Sequence, residues 1–178
     1  AVEKAGAKAL ATGSKPVAGA NGSEDGEHLP FDRALDNARA IVANVSVPVS
    51  VDMETGYGAS AVAVGERAKQ MMSVGVVGAN IEDQLLGENN LRSIDEQSAR
   101  LSAAVDAGLF VNARTDLFIQ APAGEHDQSL AELALERGRA FSAAGASCLF
   151  VPFLPDEKLI AEICEKSDLP VNLLKIPG

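Results

Sequence analysis

Residues 50–58 read Ser-Val-Asp-Met-Glu-Thr-Gly-Tyr-Gly, and the apolar run Val47–Val51 leads directly into them. A short apolar run bounded by a turn predicts a strand buried on both faces, as in parallel sheets. Asp52 and Glu54 stand two residues apart at its end, so their side chains point to the same side. Two carboxylates this close are costly unless a cation lies between them, although an exposed pair at a strand end is the alternative. The stretch therefore predicts a parallel strand that ends in a polar, ligand-binding turn.

The pattern of an apolar run followed by a helix-length stretch recurs along the whole chain. Six apolar runs are predicted as strands: Ala9–Thr12, Val47–Val51, Val76–Ile81, Leu109–Ala113, Cys148–Phe153 and Leu169–Leu174. Helices are predicted at Asp32–Val45 and Ala59–Ser73, and after three capping signals: Ser93 with Glu96, Ser129 with Glu132, and Asp156 after Pro155. Such alternation indicates right-handed βαβ units with parallel strands.

Such units can form either an open doubly wound sheet or a (β/α)₈ barrel. Polar residues end almost every run: Thr12 with Ser14, Asp52 with Glu54, Glu82 with Asp83, Arg114 with Asp116, and Asn172. An open sheet gathers its ligand at one switch point, whereas a barrel gathers it from the ends of all its strands. We therefore predict an α/β fold, a TIM-type barrel, of which residues 1–178 form a single partial domain with about six of the eight strands. We expect at least one further strand at each end, in a longer polypeptide rather than in a partner.

The composition limits the classes of partner that the protein is expected to bind and the cell compartment in which it is expected to work. The chain has 178 residues, and 25 acidic against 15 basic side chains give a formal net charge of −10. An acidic surface repels nucleic acid and anionic lipid, and the apolar runs are too short to span a bilayer, so we expect neither nucleic acid nor a membrane as partner. Cys148 and Cys164 lack C-x-x-C spacing and lie in apolar runs. They are predicted as buried, reduced thiols of a cytoplasmic protein.

The remaining candidate residues lie after the other strands. Arg114 follows a buried strand among carboxylates, which favours either an anionic substrate group or a structural ion pair with Glu82. Oxygen ligands without nearby His or Cys favour Mg²⁺ or Mn²⁺ over Zn²⁺. The turn Thr12-Gly13-Ser14 is either an anion cradle of backbone N–H groups or a plain loop. Asp25, by composition alone, is a solvated turn residue.

Taken together, these segments resemble the isocitrate lyase and phosphoenolpyruvate mutase superfamily. The matching pieces follow one another along nearly the whole chain: Gly13-Ser14, Gly22-x-x-Asp25, Val51–Gly58, Asn80–Asp83, Asn112–Asp116, Leu149–Pro152 and Pro170–Asn172. The resemblance implies a (β/α)₈ barrel, with a helix exchanged between subunits and a homotetramer built as a dimer of dimers. It also implies a small anionic 2-oxo acid as substrate.

The resemblance further implies roles for individual residues. Mg²⁺ would be held by Asp52, with Glu54, Glu82 and Asp25 reaching it largely through water. The backbone of Gly13-Ser14-Lys15 and Arg114 would bind the anionic groups of the substrate, and Asn172 a second carboxylate. Asp52, Glu82 and Arg114 would be catalytic, and the metal would stabilise an enolate as a C–C or P–C bond breaks.

Two departures from the superfamily pattern narrow the activity. The isocitrate and methylisocitrate lyases carry a Cys- and His-containing lid, where this chain reads Gln84-Leu-Leu-Gly-Glu-Asn-Asn-Leu-Arg92. Those branches also place a Glu where this chain has Pro152. Without a lid acid or base, decarboxylation of an oxaloacetate-like substrate fits better than retro-aldol cleavage of a 2-hydroxy acid. We therefore expect a Mg²⁺-dependent C–C lyase. A P–C bond mutase or hydrolase is the alternative, and a non-catalytic metabolite-binding barrel comes third.

Overall fold

Six parallel strands form one sheet, in the order in which they occur along the chain. The computed structural model describes residues 1–174. The strands are β1 Leu10–Ala11, β2 Val49–Asp52, β3 Gly78–Glu82, β4 Phe110–Arg114, β5 Cys148–Val151 and β6 Val171–Leu173. Each lies inside, or within one residue of, one of the predicted apolar runs, so all six predicted strands are confirmed.

Helices connect consecutive strands and pack on one another in chain order. They are α1 Ser14–Ala20, α2 Phe31–Val42, α3 Ala61–Ser73, α4 Ile94–Asp106, α5 Leu117–Gln120, α6 Gln128–Ala143 and α7 Glu157–Lys166, with 3₁₀ turns at Glu3–Ala5 and Ala123–Glu125. α2 contacts α3, α3 contacts α4, α4 contacts α6, and α6 contacts α7. A doubly wound sheet reverses its strand order at a switch point, and this sheet does not. The fold is therefore α/β, a curled part of a TIM-type barrel, as predicted.

Successive residues of each strand face opposite sides of this curled sheet. Val49, Val51, Ala79, Ile81, Val111, Ala113, Leu149 and Val151 are buried beneath the helices. Polar side chains occupy the alternate strand positions, which lie on the inner face of the curled sheet. This inner face is more exposed to solvent than the face beneath the helices, since Phe110 at the start of β4 is 52% exposed. The C-terminal end of the inner face is where the candidate site residues lie.

Helix capping follows the predictions in two cases out of three. The Ser93 hydroxyl accepts the N–H of Glu96 at the start of α4, and the Asp156 carboxylate accepts those of Lys158 and Leu159 at the start of α7. The predicted cap at Ser129 is wrong, because Asp127 caps α6 instead by accepting the N–H of Leu130 at 3.1 Å. An aspartate caps as well as a serine does, and it allows α6 to begin two residues earlier.

The two cysteines are free, but their predicted burial is wrong. Cys164 is exposed on α7, and Cys148 is half-buried on the inner face of β5. Within residues 1–174, no helix has the length and apolar character needed to cross a bilayer.

Candidate active site

Asp52 ends β2 at the centre of the candidate site, and three donors hold its carboxylate. The N–H of Ser14 donates to Oδ2 at 3.1 Å, while Oδ1 accepts the N–H of Glu54 and the amide of Asn80, both at 3.1 Å. The N–H of Asp52 in turn donates to the Thr12 hydroxyl at 3.1 Å. A carboxylate has about four acceptor positions, so one on Oδ2 remains open.

Three asparagines, on β3, β4 and β6, form a ladder of amide hydrogen bonds that leads to Asp52. Asn172 on β6 donates to Asn112 on β4 at 2.7 Å, Asn112 donates to Asn80 on β3 at 3.0 Å, and Asn80 donates to Asp52. The parallel register sets Asn80 beside both Asp52 and Asn112. The ladder therefore fixes the orientation of each amide, and with it the donor that Asp52 receives.

Arg114, the last residue of β4, pairs with two buried carboxylates. It contacts Glu82 at 2.9 Å and forms two hydrogen bonds to Asp116, at 2.5 and 3.1 Å. Glu82 also accepts the amide of Gln84 at 2.7 Å. Burial raises the pKa of Glu82 to about 8, because desolvation outweighs the attraction of Arg114. The structural ion pair with Glu82 is thus present. The guanidinium, with a 20% exposed side chain, also keeps N–H groups that these contacts do not use, so binding of a substrate anion by Arg114 stays a prediction.

Glu54 lies almost fully buried in the turn after β2. Its Oε2 accepts the N–H groups of Gly26 at 2.7 Å and Glu27 at 2.6 Å, and its Oε1 accepts the Tyr57 hydroxyl at 2.8 Å. Desolvation raises the pKa of Glu54, and the nearby charge of Asp25 adds to that rise. Asp25 itself is exposed in the loop between α1 and α2. The four predicted acids therefore occupy two strand ends and two adjoining loops.

Comparisons with known proteins bear on this arrangement. The family model described as phosphoenolpyruvate phosphomutase matches residues 1–178. The chain belongs to that family. The resemblance to the isocitrate lyase and phosphoenolpyruvate mutase superfamily is thereby confirmed.

The family relatives include both lyases and a protein named for a mutase. The 2-methylisocitrate lyase of Escherichia coli K12 is 30% identical over 181 residues, which cover 95% of this chain and 58% of the relative. An oxaloacetate decarboxylase of Rhodopseudomonas palustris HaA2 is 28% identical over 163 residues, covering 88% and 55%. The crystal structure of a presumed phosphonomutase from Burkholderia cenocepacia J2315 has a TM-score of 0.96 at 42% identity, covering 99% of this chain and 73% of that one. The chain thus spans little more than half the length of these two curated relatives.

The donor set of this phosphomutase-family chain is compatible with Mg²⁺. In residues 1–174, no three His, Cys, Asp or Glu side chains come together closely enough to hold a metal ion by themselves. Mg²⁺ does not need such a cage, because it keeps several waters and binds through one or two carboxylates. Asp52 has one open acceptor position, Glu54 has one on Oε1, and Glu82 has two. Asp52 would therefore hold the cation directly, and the two glutamates would hold its waters.

The predicted anion cradle after β1 is engaged within the protein. Gly13 precedes α1, which the sequence did not reveal, and the N–H of Ser14 points at Asp52 rather than outward. Thr12 likewise bonds to the backbone of Asp52, and Lys15 is exposed in the first turn of α1. Substrate binding by Thr12, Gly13, Ser14, Lys15 and Asn172 stays a prediction.

The segment that corresponds to the lid of the lyases folds into a small hairpin. Gln84 and Leu91 form an antiparallel bridge, and the N–H of Leu85 donates to the carbonyl of Asn90 at 2.9 Å. Neither Cys nor His occurs between Gln84 and Arg92. Of the two histidines, His28 is exposed, and His126 packs edge-on against Phe118. The lid hairpin therefore offers no imidazole or thiol for proton transfer.

Several residues of the site were missed by sequence reasoning. Arg100, fully buried on α4, donates to the carbonyls of Thr55 at 2.6 Å and Gly58 at 2.9 Å and so supports the turn after β2. Arg137 on α6 pairs with buried Asp83 at 3.0 Å. Glu27 bonds to the same turn as Arg100. A charged residue at a core-facing helix position, such as Arg100, was the one available signal.

Proposed function

We propose that the protein is a Mg²⁺-dependent lyase that breaks a C–C bond in a small 2-oxo or 2-hydroxy di- or tricarboxylate, with an oxaloacetate-like 2-oxo acid as the favoured substrate. The observation that carries the proposal is the open acceptor position on Asp52, in a mouth that also holds two further carboxylates and the guanidinium of Arg114. Clustered carboxylates without a cation are a cost that a purely structural protein avoids.

The residues present suit decarboxylation. The bond between C3 and the terminal carboxylate breaks, CO₂ leaves, the electron pair moves toward the 2-oxygen, and a proton from water then adds to C3. Mg²⁺, when bound, supplies the electrophile for that oxygen. Arg114 binds a substrate carboxylate with the N–H groups that Glu82 and Asp116 leave free. The contacts with those two acids hold its guanidinium in one orientation. This step needs no acid or base from the lid hairpin.

A P–C bond mutase or phosphonopyruvate hydrolase is the second candidate. The 42% identity to the presumed phosphonomutase favours it. Asn89 or Asn90 falls near the lid asparagine of phosphonate mutases, but in a shorter loop. A phosphonate would use the same guanidinium of Arg114, so the binding residues do not separate the two reactions.

We further propose that the protein works in the cytoplasm as a homo-oligomer, a dimer of dimers, with Mg²⁺ or Mn²⁺ and without nucleic-acid or membrane partners. The acidic net charge of −10 supports the last point. Light scattering would test the assembly directly.

The deciding experiment is an activity screen of the protein against oxaloacetate, phosphonopyruvate, methylisocitrate and dimethylmalate, each with Mg²⁺ and with excess chelator. We expect Mg²⁺-dependent release of pyruvate and CO₂ from oxaloacetate. Release of phosphate or formation of phosphoenolpyruvate from phosphonopyruvate would favour the second candidate. Turnover that persists in chelator, or no turnover of any substrate, would refute the metal-dependent lyase and mutase alike.

A further inference from the structure

Two glutamates in separate loops each bind the backbone of the other's loop. Glu54 Oε2 accepts the N–H groups of Gly26 and Glu27. In return, Glu27 Oε1 accepts the N–H groups of Thr55 at 3.1 Å and Tyr57 at 2.9 Å, as well as the Thr55 hydroxyl at 2.7 Å. We call these reciprocal bonds between residues 26–27 and residues 54–57 the glutamate latch.

The latch is built from backbone that side chains rarely adopt. Glu27, Glu54 and Tyr57 have φ values of 58°, 50° and 52°, in the left-handed region that favours glycine. Among the described residues only Phe153 shares this conformation without being glycine. Such conformations persist only where surrounding contacts hold them, and they cluster at functional sites. In each loop, the carboxylate of the other loop supplies those contacts.

The latch joins the two loops that carry candidate acids. Asp25 precedes the latched Gly26–Glu27 segment directly, and Glu54 is itself a member of the latch. Glu54 is 3% exposed and Thr55 is 2% exposed, so the latch bonds are partly shielded from solvent. The reciprocal bonds therefore connect the two loops, so Glu27 is linked through them to the loop of Asp25 and to the turn of Glu54.

We infer that Glu27 is a positioning residue, which sets the places of Asp25 and Glu54 around the cation by hydrogen-bonding the turn at Thr55–Tyr57. This inference rests on the proposed function, since it assumes that those two acids surround a cation. Glu27 acts through its acceptor geometry: its Oε1 takes three donors, and a side chain shorter by one methylene does not reach them.

The variants separate geometry from charge. Glu27→Gln keeps a carbonyl oxygen at the same reach, Glu27→Asp keeps the charge without the reach, and Glu27→Ala removes both. Glu24→Gln is the matched control, because Glu24 is an exposed acid in the same loop. Each variant is measured by amide hydrogen exchange, by Mn²⁺ affinity in calorimetry and by its melting curve, which verifies that it is folded.

We expect Glu27→Ala and Glu27→Asp to accelerate exchange about tenfold or more at all four latch amides, Gly26, Glu27, Thr55 and Tyr57, and to weaken Mn²⁺ binding by about tenfold. Glu27→Gln and Glu24→Gln should stay close to the wild type in both measurements. Should Glu27→Ala not fold, Glu27→Asp against Glu27→Gln makes the same comparison.

Three results would overturn the inference: faster exchange confined to Thr55 and Tyr57, an unchanged Mn²⁺ affinity in Glu27→Asp, or a loss in Glu27→Gln equal to that in Glu27→Asp. A wild-type protein that binds no Mn²⁺ would instead refute the proposed function, and the positioning role of Glu27 with it. Exchange at the four amides would still show whether the two loops are coupled.

Discussion

Individual carboxylates in this site differ in how much of their hydrogen-bonding capacity the protein already uses. Three donors fill all but one of the positions on Asp52, and three more occupy Glu54, whereas Glu82 accepts one bond on each oxygen. A side chain held by several donors keeps its orientation without a cation. Asp52 is therefore held with one acceptor position open, as its proposed role as a Mg²⁺ ligand requires.

Replacing Asp52 by asparagine should remove the direct cation ligand while keeping the shape of the side chain. An amide NH₂ group in the place of Oδ2 would also face the N–H of Ser14, donor against donor. We expect turnover and Mn²⁺ affinity to fall by about a hundredfold or more, whereas Glu54→Gln should only weaken them, since we propose that Glu54 acts through water. Steady-state kinetics and calorimetry measure both. An active Asp52→Asn protein would contradict the assignment of this ligand.

The raised pKa of Glu82, about 8 against an ordinary value of 4.5, predicts how stability depends on pH in metal-free protein. Between these two values the folded state binds more protons at this site than the unfolded state does, so the free energy of unfolding should fall as pH rises from about 4.5 to 8. Urea unfolding in chelator at pH 5.5 and 8 measures the decline.

The Glu82→Gln variant should flatten that decline, because it removes the titrating group. Glu88→Gln, an exposed acid of the lid hairpin, should leave it unchanged. Buried Glu54, Asp83 and Asp116 also have raised pKa values and contribute in the same direction, so some decline should remain. If the free energy of unfolding fell equally steeply with pH in the wild type and in Glu82→Gln, the raised pKa assigned to Glu82 would be wrong.

Neither histidine pairs with a carboxylate of the candidate site, since each ring contacts a backbone carbonyl. His28 is exposed with its ring Nδ1 2.8 Å from the carbonyl of Asp25, and His126 Nε2 lies 3.1 Å from the carbonyl of Ala121. We expect His28→Gln and His126→Gln to keep turnover within about twofold of the wild type. A loss of about a hundredfold in His28→Gln would instead show that the loop around Asp25 closes over the site.

At the scale of elements, the turn after β2 depends on helix α4. The buried guanidinium of Arg100 reaches from α4 to the carbonyls of Thr55 and Gly58, on either side of Tyr57. Gly58 allows the turn to pack closely, because a Cβ there would lie 2.8 Å from the backbone nitrogen of Val64. The turn is thus held by α4 on one side and by Glu27 on the other.

Replacing Arg100 by methionine should leave those two carbonyls buried without their donor. We expect the free energy of unfolding to fall by about 2 kcal/mol, since the lost hydrogen bonds outweigh the relief of a buried charge. Chemical denaturation measures the change. The exposed Arg139→Met on α6 is the control and should stay within about 0.5 kcal/mol of the wild type. If Arg100→Met had the same free energy of unfolding as the wild type, Arg100 would not support the turn after β2.

At the scale of the whole molecule, six strand ends bring separate segments to one mouth. Sequential strand order places each C-terminal end beside the next, so Asp52, Asn80 and Asn112 become neighbours although about thirty residues separate each from the next. The helices form one layer outside the sheet, and the inner face is left for polar chemistry. We propose that this mouth binds a chelating anion and a cation together.

Oxalate, which resembles a planar 2-oxo acid, should therefore bind with Mg²⁺ in a synergistic way. Two of its four oxygens would bind the cation, while the guanidinium of Arg114 would pair with its negative charge. We expect calorimetry to show oxalate binding about tenfold or more tighter with Mg²⁺ than with excess chelator. Equal affinity in chelator would mean that the anion binds without the cation, and the metal-centred mechanism would be wrong.

Local sequence was sufficient for the strands, most helices and the residue types at each strand end. Short apolar runs predict strands by themselves, although the structure buries only one face of these strands fully, and the polar residues at the strand ends marked Asp52, Glu82 and Arg114 as candidates for the mouth. Helix capping is also a local interaction, but residue type alone does not decide which residue forms the cap. Asp127 rather than Ser129 caps α6, because an aspartate and a serine can each accept the N–H groups at the start of a helix.

The partners of the site residues required the tertiary structure. The bond from Ser14 to Asp52 joins residues 38 apart, the bonds from Glu27 to the turn after β2 join residues 28 to 30 apart, and Asn172 meets Asn112 across 60 residues. Periodicity reports which face of an element a residue occupies, but not which side chain of a distant loop will fill its acceptor positions. That choice depends on the curvature of the sheet and on the left-handed backbone at Glu27 and Glu54, because these bring the two loops within hydrogen-bonding distance.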